Sequence, residues 1–208
     1  IIGTPGGAVL HRLPLSAGAA LAVLRIVGTG HYRYLFVDDR ILTDTPGPHV
    51  ERYAEALGVP VTVVEELSSE VGGGDLTHIV LRMPPEEAAQ AVKEYSAATR
   101  GVARVMRTLP HLVEFVNPLV SKGNALRTLC GMLSISTTDV VAVGDSESDI
   151  DMLELAGAGV LVSNAHPELK ARVKYVTRNP YAAGVMEAVE RFLPPRDVSP
   201  LCRSTADV

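Results

Sequence analysis

At 208 residues with an apolar share of 47%, the chain is long enough for one large domain or two small ones around a real core, which excludes a disordered or fibrous protein. A formal charge of −5, a pI near 5.7 and the lack of any Lys/Arg run argue against a general nucleic-acid binder, because phosphate-backbone binding draws on a clustered basic face. The apolar stretch Ala17 to Val27 is interrupted by Arg25 and is too short to span a bilayer, and no signal-peptide pattern precedes it; the expectation is a soluble, cytoplasmic protein with no membrane partner.

In chain order, the Gly/Pro-rich opening Ile1 to Leu13 predicts a turn and an extended segment, and Ser16 predicts the N-cap of a helix running to Val27, stopped by Gly28 and Gly30. Strands follow at Tyr32 to Val37 and Ile41 to Thr43, with Asp38-Asp39 as a tight hairpin turn. A helix over Pro48 to Leu57 ends at Gly58, Val59 to Val64 is a short β-branched strand, and Gly72-Gly73-Gly74 marks a flexible loop. Next come a strand over Thr77 to Met83, a helix over Pro85 to Thr99, and strands over Val102 to Thr108 and Leu112 to Val116. So many adjacent strands predict an α+β module with a largely antiparallel sheet over residues 1–118.

After Pro118 the rhythm becomes helix Lys122 to Leu133, strand Val140 to Val143, helix Asp149 to Ala156, strand Gly159 to Val162, helix Pro167 to Val173, strand Tyr175 to Thr177 and helix Ala182 to Phe192. Such alternation gives βαβ units and a parallel sheet over residues 119–193. Residues 194–208 read as a polar, flexible tail. Cys130 and Cys202 lie far apart, and neither a disulfide framework nor a zinc site is expected.

In a parallel sheet, ligands gather at the carboxyl ends of the strands. Asp145 falls at that end of the strand Val140 to Val143, and Asp149 lies four residues later in the first turn of the next helix, so both carboxylates can face one point. Two hard oxygen donors there suit Mg²⁺, held by one or two carboxylates with water and phosphate. The competing reading makes Asp145 a turn residue and Ser148 or Asp149 a helix cap. Lys122 opens a helix, where its ammonium would complement phosphate charge.

Four blocks occur in a particular order: Val120-Ser121-Lys122-Gly123-Asn124, then Gly144-Asp145-Ser146-Glu147-Ser148-Asp149, then Asn164-Ala165, then Thr177-Arg178-Asn179 with Gly184-Val185. This set resembles the carboxyl-terminal half of the haloacid dehalogenase superfamily, in its Cof-like sugar-phosphatase branch. The resemblance covers Leu112 to Phe192 with specific motifs; residues 1 to about 118 look like that branch's cap domain, with weaker local signals. It implies an α/β protein with a Rossmann-like parallel sheet, partial in this chain, and an α+β cap, acting as a Mg²⁺-dependent phosphatase of a small phosphorylated metabolite. By resemblance, Lys122 stabilises the nucleophile and the phosphoryl group, Asp145 and Asp149 hold Mg²⁺ directly or through water, and Asn164 lies near the phosphate. Ser148 stands where the branch usually has Asn.

The same resemblance demands a nucleophilic aspartate and an acid/base aspartate two residues on, at the end of an early apolar strand. No Asp-x-Asp with those surroundings occurs: the nearest imitation, Asp38-Asp39-Arg40, fits a hairpin turn better. The chain starts at Ile1 in mid-pattern, so the nucleophile is expected upstream of it, and the exposed core strand is expected to be covered by an upstream segment or by self-association. A non-catalytic domain that keeps the fold and binds a ligand or partner is the alternative. A Gly-Asp-Ser esterase reading of Gly144 to Ser146 lacks the later Asp-x-x-His it would need, since His166 is the only histidine after Ser146.

Overall fold

The computed structural model describes residues 1–193; the predicted tail 194–208, with Cys202, lies outside the described residues. The chain divides into two compact units, one over Ile1–Val120 and one from Ser121 onward.

Unit 1 opens with a small antiparallel pair, β1 (Ile2–Gly3) and β2 (Val9–His11), followed by α1 (Ala17–Val27). Ser16 caps α1 as its sequence predicts, its side chain accepting from Ala19 N at 3.2 Å. Then come β3 (Tyr32–Val37), β4 (Arg40–Thr43), α2 (Pro48–Leu57), β5 (Val61–Val63), β6 (Leu76–Arg82), α3 (Pro85–Ala98), β7 (Arg104–Leu109) and β8 (Leu112–Val116). The strands form one six-stranded sheet in the order β5-β4-β3-β6-β8-β7, antiparallel throughout except for β4 with β5. The register Val37↔Arg40 makes Asp38 and Asp39 a two-residue hairpin turn, with Asp38 at φ 51°, a left-handed conformation that aspartate tolerates better than most residues.

Strand alternation decides the layering. On one face Leu35, Val37, Ile79, Leu81, Val113 and Phe115 pack with Ala20, Val23 and Leu24 of α1 and Ala88 and Ala91 of α3 into the main core. On the other face Tyr34, Val80 and Leu112 pack with Tyr53 of α2 into a smaller aromatic cluster. At about 1.5–3 kcal/mol per fully buried large side chain, the first cluster dominates the stability of this unit.

Unit 2 contains α4 (Lys122–Leu133), β9 (Val141–Gly144), α5 (Ile150–Leu155), β10 (Ala158–Leu161), α6 (Pro167–Lys170), β11 (Tyr175–Val176) and α7 (Tyr181–Phe192). Its three strands are parallel in the order β11-β10-β9, as βαβ connections require. Ala142, Ile150, Leu153, Leu161 and Ala165 form its core, far smaller than that of unit 1. Helix α5 starts one residue later than the sequence predicts. Glu147–Asp149 instead form a 3₁₀ turn, because the Asp149 carboxylate is pulled back onto the backbone of Asp145 and Ser146. Helix α6 is also shorter than predicted: Lys170 donates to Ser163 O at 2.8 Å, and Arg172 leaves the helical path to pair with Glu154 at 2.9 Å. No helix among the described residues is long and apolar enough to cross a membrane.

Candidate active site

The end of β9 and the start of α4 build the site together. Gly144 closes the strand, and a Cβ on it would lie 2.5 Å from Asp149 Cβ and 2.7 Å from Asp149 Cγ, so only glycine lets the acidic side chain fold under the loop. Asp149 is buried at 3% exposure and its Oδ2 accepts from Asp145 N at 3.1 Å, Ser146 N at 3.0 Å and Ser146 Oγ at 2.8 Å. Its Oδ1 accepts from the Lys122 ammonium. Burial by itself pushes the Asp149 carboxyl up, but the donors from Lys122, Ser146 and Asp145 outweigh it and hold the group down at about 2. The residue is therefore an anion fixed in one orientation.

Lys122 reaches this point because it is the first residue of α4, whose N-cap Ser121 accepts from Asn124 N at 3.0 Å. Gly123 follows, and its N–H donates to Asp151 Oδ2 at 3.1 Å; a Cβ on Gly123 would meet the Asp151 backbone at 2.9 Å. The two helix starts touch because that position has no side chain.

Asp145 behaves differently. It is exposed, and among the described residues its carboxylate accepts no hydrogen bond and joins no ion pair, while its own N–H is spent on Asp149. It lines a cavity of about 220 Å³ with Val143, Gly144, Val162, Asn164, Tyr181 and Val185. Of the residues expected from sequence, Asp145 and Asn164 thus meet in one cavity, and Lys122 and Asp149 meet beside it as an ion pair. Ser148 is not part of that cavity's lining; its hydroxyl lies 2.9 Å from Ser146 Oγ, within the loop's own hydrogen-bond chain. Asn164 Oδ1 accepts from Tyr181 N at 2.7 Å, so the amide's oxygen holds the start of α7.

Sequence reading misses Tyr181. It sits at φ 50°, is 72% exposed and lines the Asp145 cavity, and nothing in Asn179-Pro180-Tyr181 signals a left-handed residue there. It also misses Ser146 as the donor that fixes Asp149 and Glu187 as the carboxylate that collects Arg178 N, Asn179 N and Asn179 Nδ2. The Ser146–Asp149 contact is a capping box, and its i, i+3 spacing is a local signal that could have found it; the Glu187 contacts cross a loop, and no local spacing encodes them. Asp38 and Asp39 are not part of this site: Asp38 accepts from Asp75 N at 3.2 Å and pairs with Arg12 at 3.3 Å in unit 1.

A parallel sheet with an acidic loop at a strand's carboxyl end, faced by a lysine at a helix start, defines an α/β protein with a Rossmann-like site. Residues 6–189 match the family described as haloacid dehalogenase-like hydrolase. The chain belongs to that family. A haloacid dehalogenase-like hydrolase from Bacillus subtilis has the same fold, with a TM-score of 0.71, 23% identity and coverage of 93% of this chain and 76% of that one. Among curated proteins, the chain is 43% identical over 81 residues to a phosphoglycolate phosphatase of Methanothermobacter thermautotrophicus, covering 39% of this chain and 37% of that protein. It is 31% identical over 187 residues to the chloroplastic endoribonuclease YBEY of Arabidopsis thaliana, covering 88% of this chain and 28% of that protein. The chain therefore spans well under half the length of these two curated relatives.

Proposed function

We propose that the complete protein is a Mg²⁺-dependent phosphatase of a small phosphorylated metabolite, in the cytoplasm, with residues 1–118 as its cap and 119–193 as the distal half of its catalytic core. The observation that carries this reading is the fixed Lys122–Asp149 pair beside an unengaged Asp145 carboxylate at the end of β9. Phosphatases among the relatives support it.

The donor set fits Mg²⁺, a cation commonly content with one or two carboxylates and otherwise water and phosphate oxygens. Asp145 is the direct ligand. Asp149, with both oxygens already accepting protein donors, acts through water. Bound there, the ion would supply charge neutralisation at the phosphoryl group. Among the described residues no group of three or more His, Cys, Asp or Glu is placed to hold a metal, so the remaining ligands are water, substrate and groups contributed by the rest of the protein.

Lys122, oriented by Asp149, holds its ammonium where negative charge builds up on the nucleophile and the transferring phosphoryl oxygens. Asn164, with its Oδ1 committed to Tyr181 N, keeps its amide N–H groups for a phosphate oxygen. The nucleophilic aspartate is carried by a further strand of the complete protein, pairing with the edge of β9, which among the described strands bonds only β10; a second copy of the chain is the other way to cover that edge. The test is hydrolysis of an aryl phosphate by the complete gene product with Mg²⁺. Asp145→Asn is expected to reduce turnover at least about 100-fold without loss of fold; unchanged turnover would sink the assignment.

A second reading, a non-catalytic binding domain, is favoured for residues 1–208 in isolation by one observation: their nearest Asp-Asp pair, Asp38 and Asp39, is a turn of unit 1 tied to Arg12 and Asp75.

A further inference from the structure

Unit 1 holds a cavity of about 670 Å³ that the phosphatase reading does not use. It lies where α1 leads into β3, where β4 and β6 end, and at the β7–β8 turn. The chain enters and leaves the sheet at the opposite end, where Leu15 N donates to Leu76 O and Asn117 Nδ2 to Pro14 O. The seven residues of β6 separate the two ends by roughly 20 Å.

No carboxylate belongs to the lining: Arg82 contributes a guanidinium, His31 and His111 contribute imidazoles, and Thr29 and Thr45 contribute hydroxyls. Arg82 projects from the end of β6 between Tyr32 of β3 and Leu112 of β8, its two register partners. It is half-buried, yet it makes no ion pair and no side-chain hydrogen bond among the described residues. Two acids of the same unit have other partners. Asp44 is paired with Arg33, and Glu114, on the same sheet face, accepts from Thr108 Oγ1 at 2.6 Å. A guanidinium offers five donors in a planar fork matched to oxyanions, so leaving it partly desolvated and unpaired is costly.

A second observation lies directly behind the cavity wall. The Tyr32 ring, 42% exposed, stacks on His49 with centroids 3.7 Å apart, and His49 meets the Tyr34 ring edge-on at 6.4 Å. Tyr34 and His49 are buried at 0% and 6% exposure, and Tyr34 Oη and His49 Nε2 have no hydrogen-bond partner. Buried polar atoms without partners are rare in native proteins and call for a bound group or water. Cavity and unneutralised cation therefore coincide at one end of one sheet, and the orphaned polar atoms lie in the layer behind the cavity's Tyr32 wall rather than on its lining.

We propose that this cavity binds a small anionic molecule through a phosphate or carboxylate group. Arg82 grips the oxyanion, Thr45 and the two histidines complete its shell, and Met83, Pro84 and Pro85 take the ligand's apolar body. The site is independent of the phosphatase reading and of the acidic loop.

The experiment titrates the 208-residue chain with inorganic phosphate and, separately, with succinate, at constant pH and ionic strength and with EDTA present. It follows the imidazole carbon–proton signals of His31 and His111 by NMR. The expected result is a saturable shift common to both histidines, from phosphate, from succinate or from both, weakened at least tenfold in Arg82→Gln and unchanged in Asp145→Asn. His111→Gln, on the hairpin turn, supplies the same comparison through His31 alone if Arg82→Gln disturbs the fold. A linear response to both anions, or saturation that survives Arg82→Gln or His111→Gln undiminished, overturns the proposal. So does saturation that disappears in Asp145→Asn, because that would place the anion at the acidic loop.

Discussion

The two carboxylates of the acidic loop have opposite characters although they lie four residues apart. Asp149 is buried and accepts from four donor atoms, whereas Asp145 is exposed and accepts from none among the described residues. Replacing Asp149 with Ala strands the backbone donors of Asp145 and Ser146 and leaves Lys122 without its partner. The expected loss is about 2–4 kcal/mol of stability, read from urea denaturation. Asp145→Asn should change stability little while removing activity, because nothing in the fold leans on that side chain. A stability loss at Asp145 equal to that at Asp149 would contradict this division of labour. The pair of aspartates at a strand end was legible in the sequence. Their difference was not, because it depends on Gly144 admitting one of them beneath the loop and on Lys122 arriving from another helix.

At the scale of elements, helix α7 begins on a strained residue. Tyr181 at φ 50° pays about 1–2 kcal/mol for a left-handed backbone. With the ring 72% exposed, little packing offsets this; Asn164 and Glu187 hold the segment instead. Tyr181→Gly is therefore expected to stabilise the chain by about 0.5–1 kcal/mol in thermal or chemical unfolding, and Tyr181→Ala is not. Equal effects of the two would show that φ is not what matters there.

The sheet of unit 1 carries a second consequence, in its pH response. Burial lowers the His78 pKa to about 4, with its ring stacked on Phe36 at 4.0 Å, and lowers that of His49 as well. Between pH 6.5 and about 4 the unfolded chain binds protons that the folded chain refuses, so the stability these neutral rings provide is present above pH 6.5 and is lost as pH falls towards 4. For partly exposed His78 the loss is about 2 kcal/mol. Glu114, whose pKa burial raises, works in the opposite sense, favouring the fold at the acid end. His78→Phe should flatten the acid limb of stability measured against pH; an unaltered limb would show that His78 titrates normally in the folded state.

At the scale of the whole molecule, the two units are unequally finished. Unit 1 encloses a full two-sided sheet, while among the described residues β9 in unit 2 bonds one neighbour and α7 leaves Val185, Met186 and Val189 exposed at 41%, 56% and 37%. An open strand edge beside an apolar helix face favours pairing with another chain or segment. The 208-residue chain on its own is accordingly expected to run as a dimer or larger species in light scattering at micromolar concentration. A clean monomeric mass would mean that the edge is tolerated in water.

The sequence by itself determined the order and type of the elements, because a cap such as Ser16, the stop at Gly58 and the alternation in Tyr32 to Val37 are local signals that act within a turn or two of themselves. It also pointed to Asp145 and Lys122, since a strand end and a helix start are positions that can be counted along the chain. Only the tertiary structure decided that Asp149 bonds Lys122, that Tyr181 and Asp145 line one cavity, and that Arg82 has no ion pair or side-chain hydrogen bond among the described residues. Each of those outcomes joins, or fails to join, groups far apart along the chain. Its energy depends on which groups arrive together after packing, a quantity that no window of sequence contains.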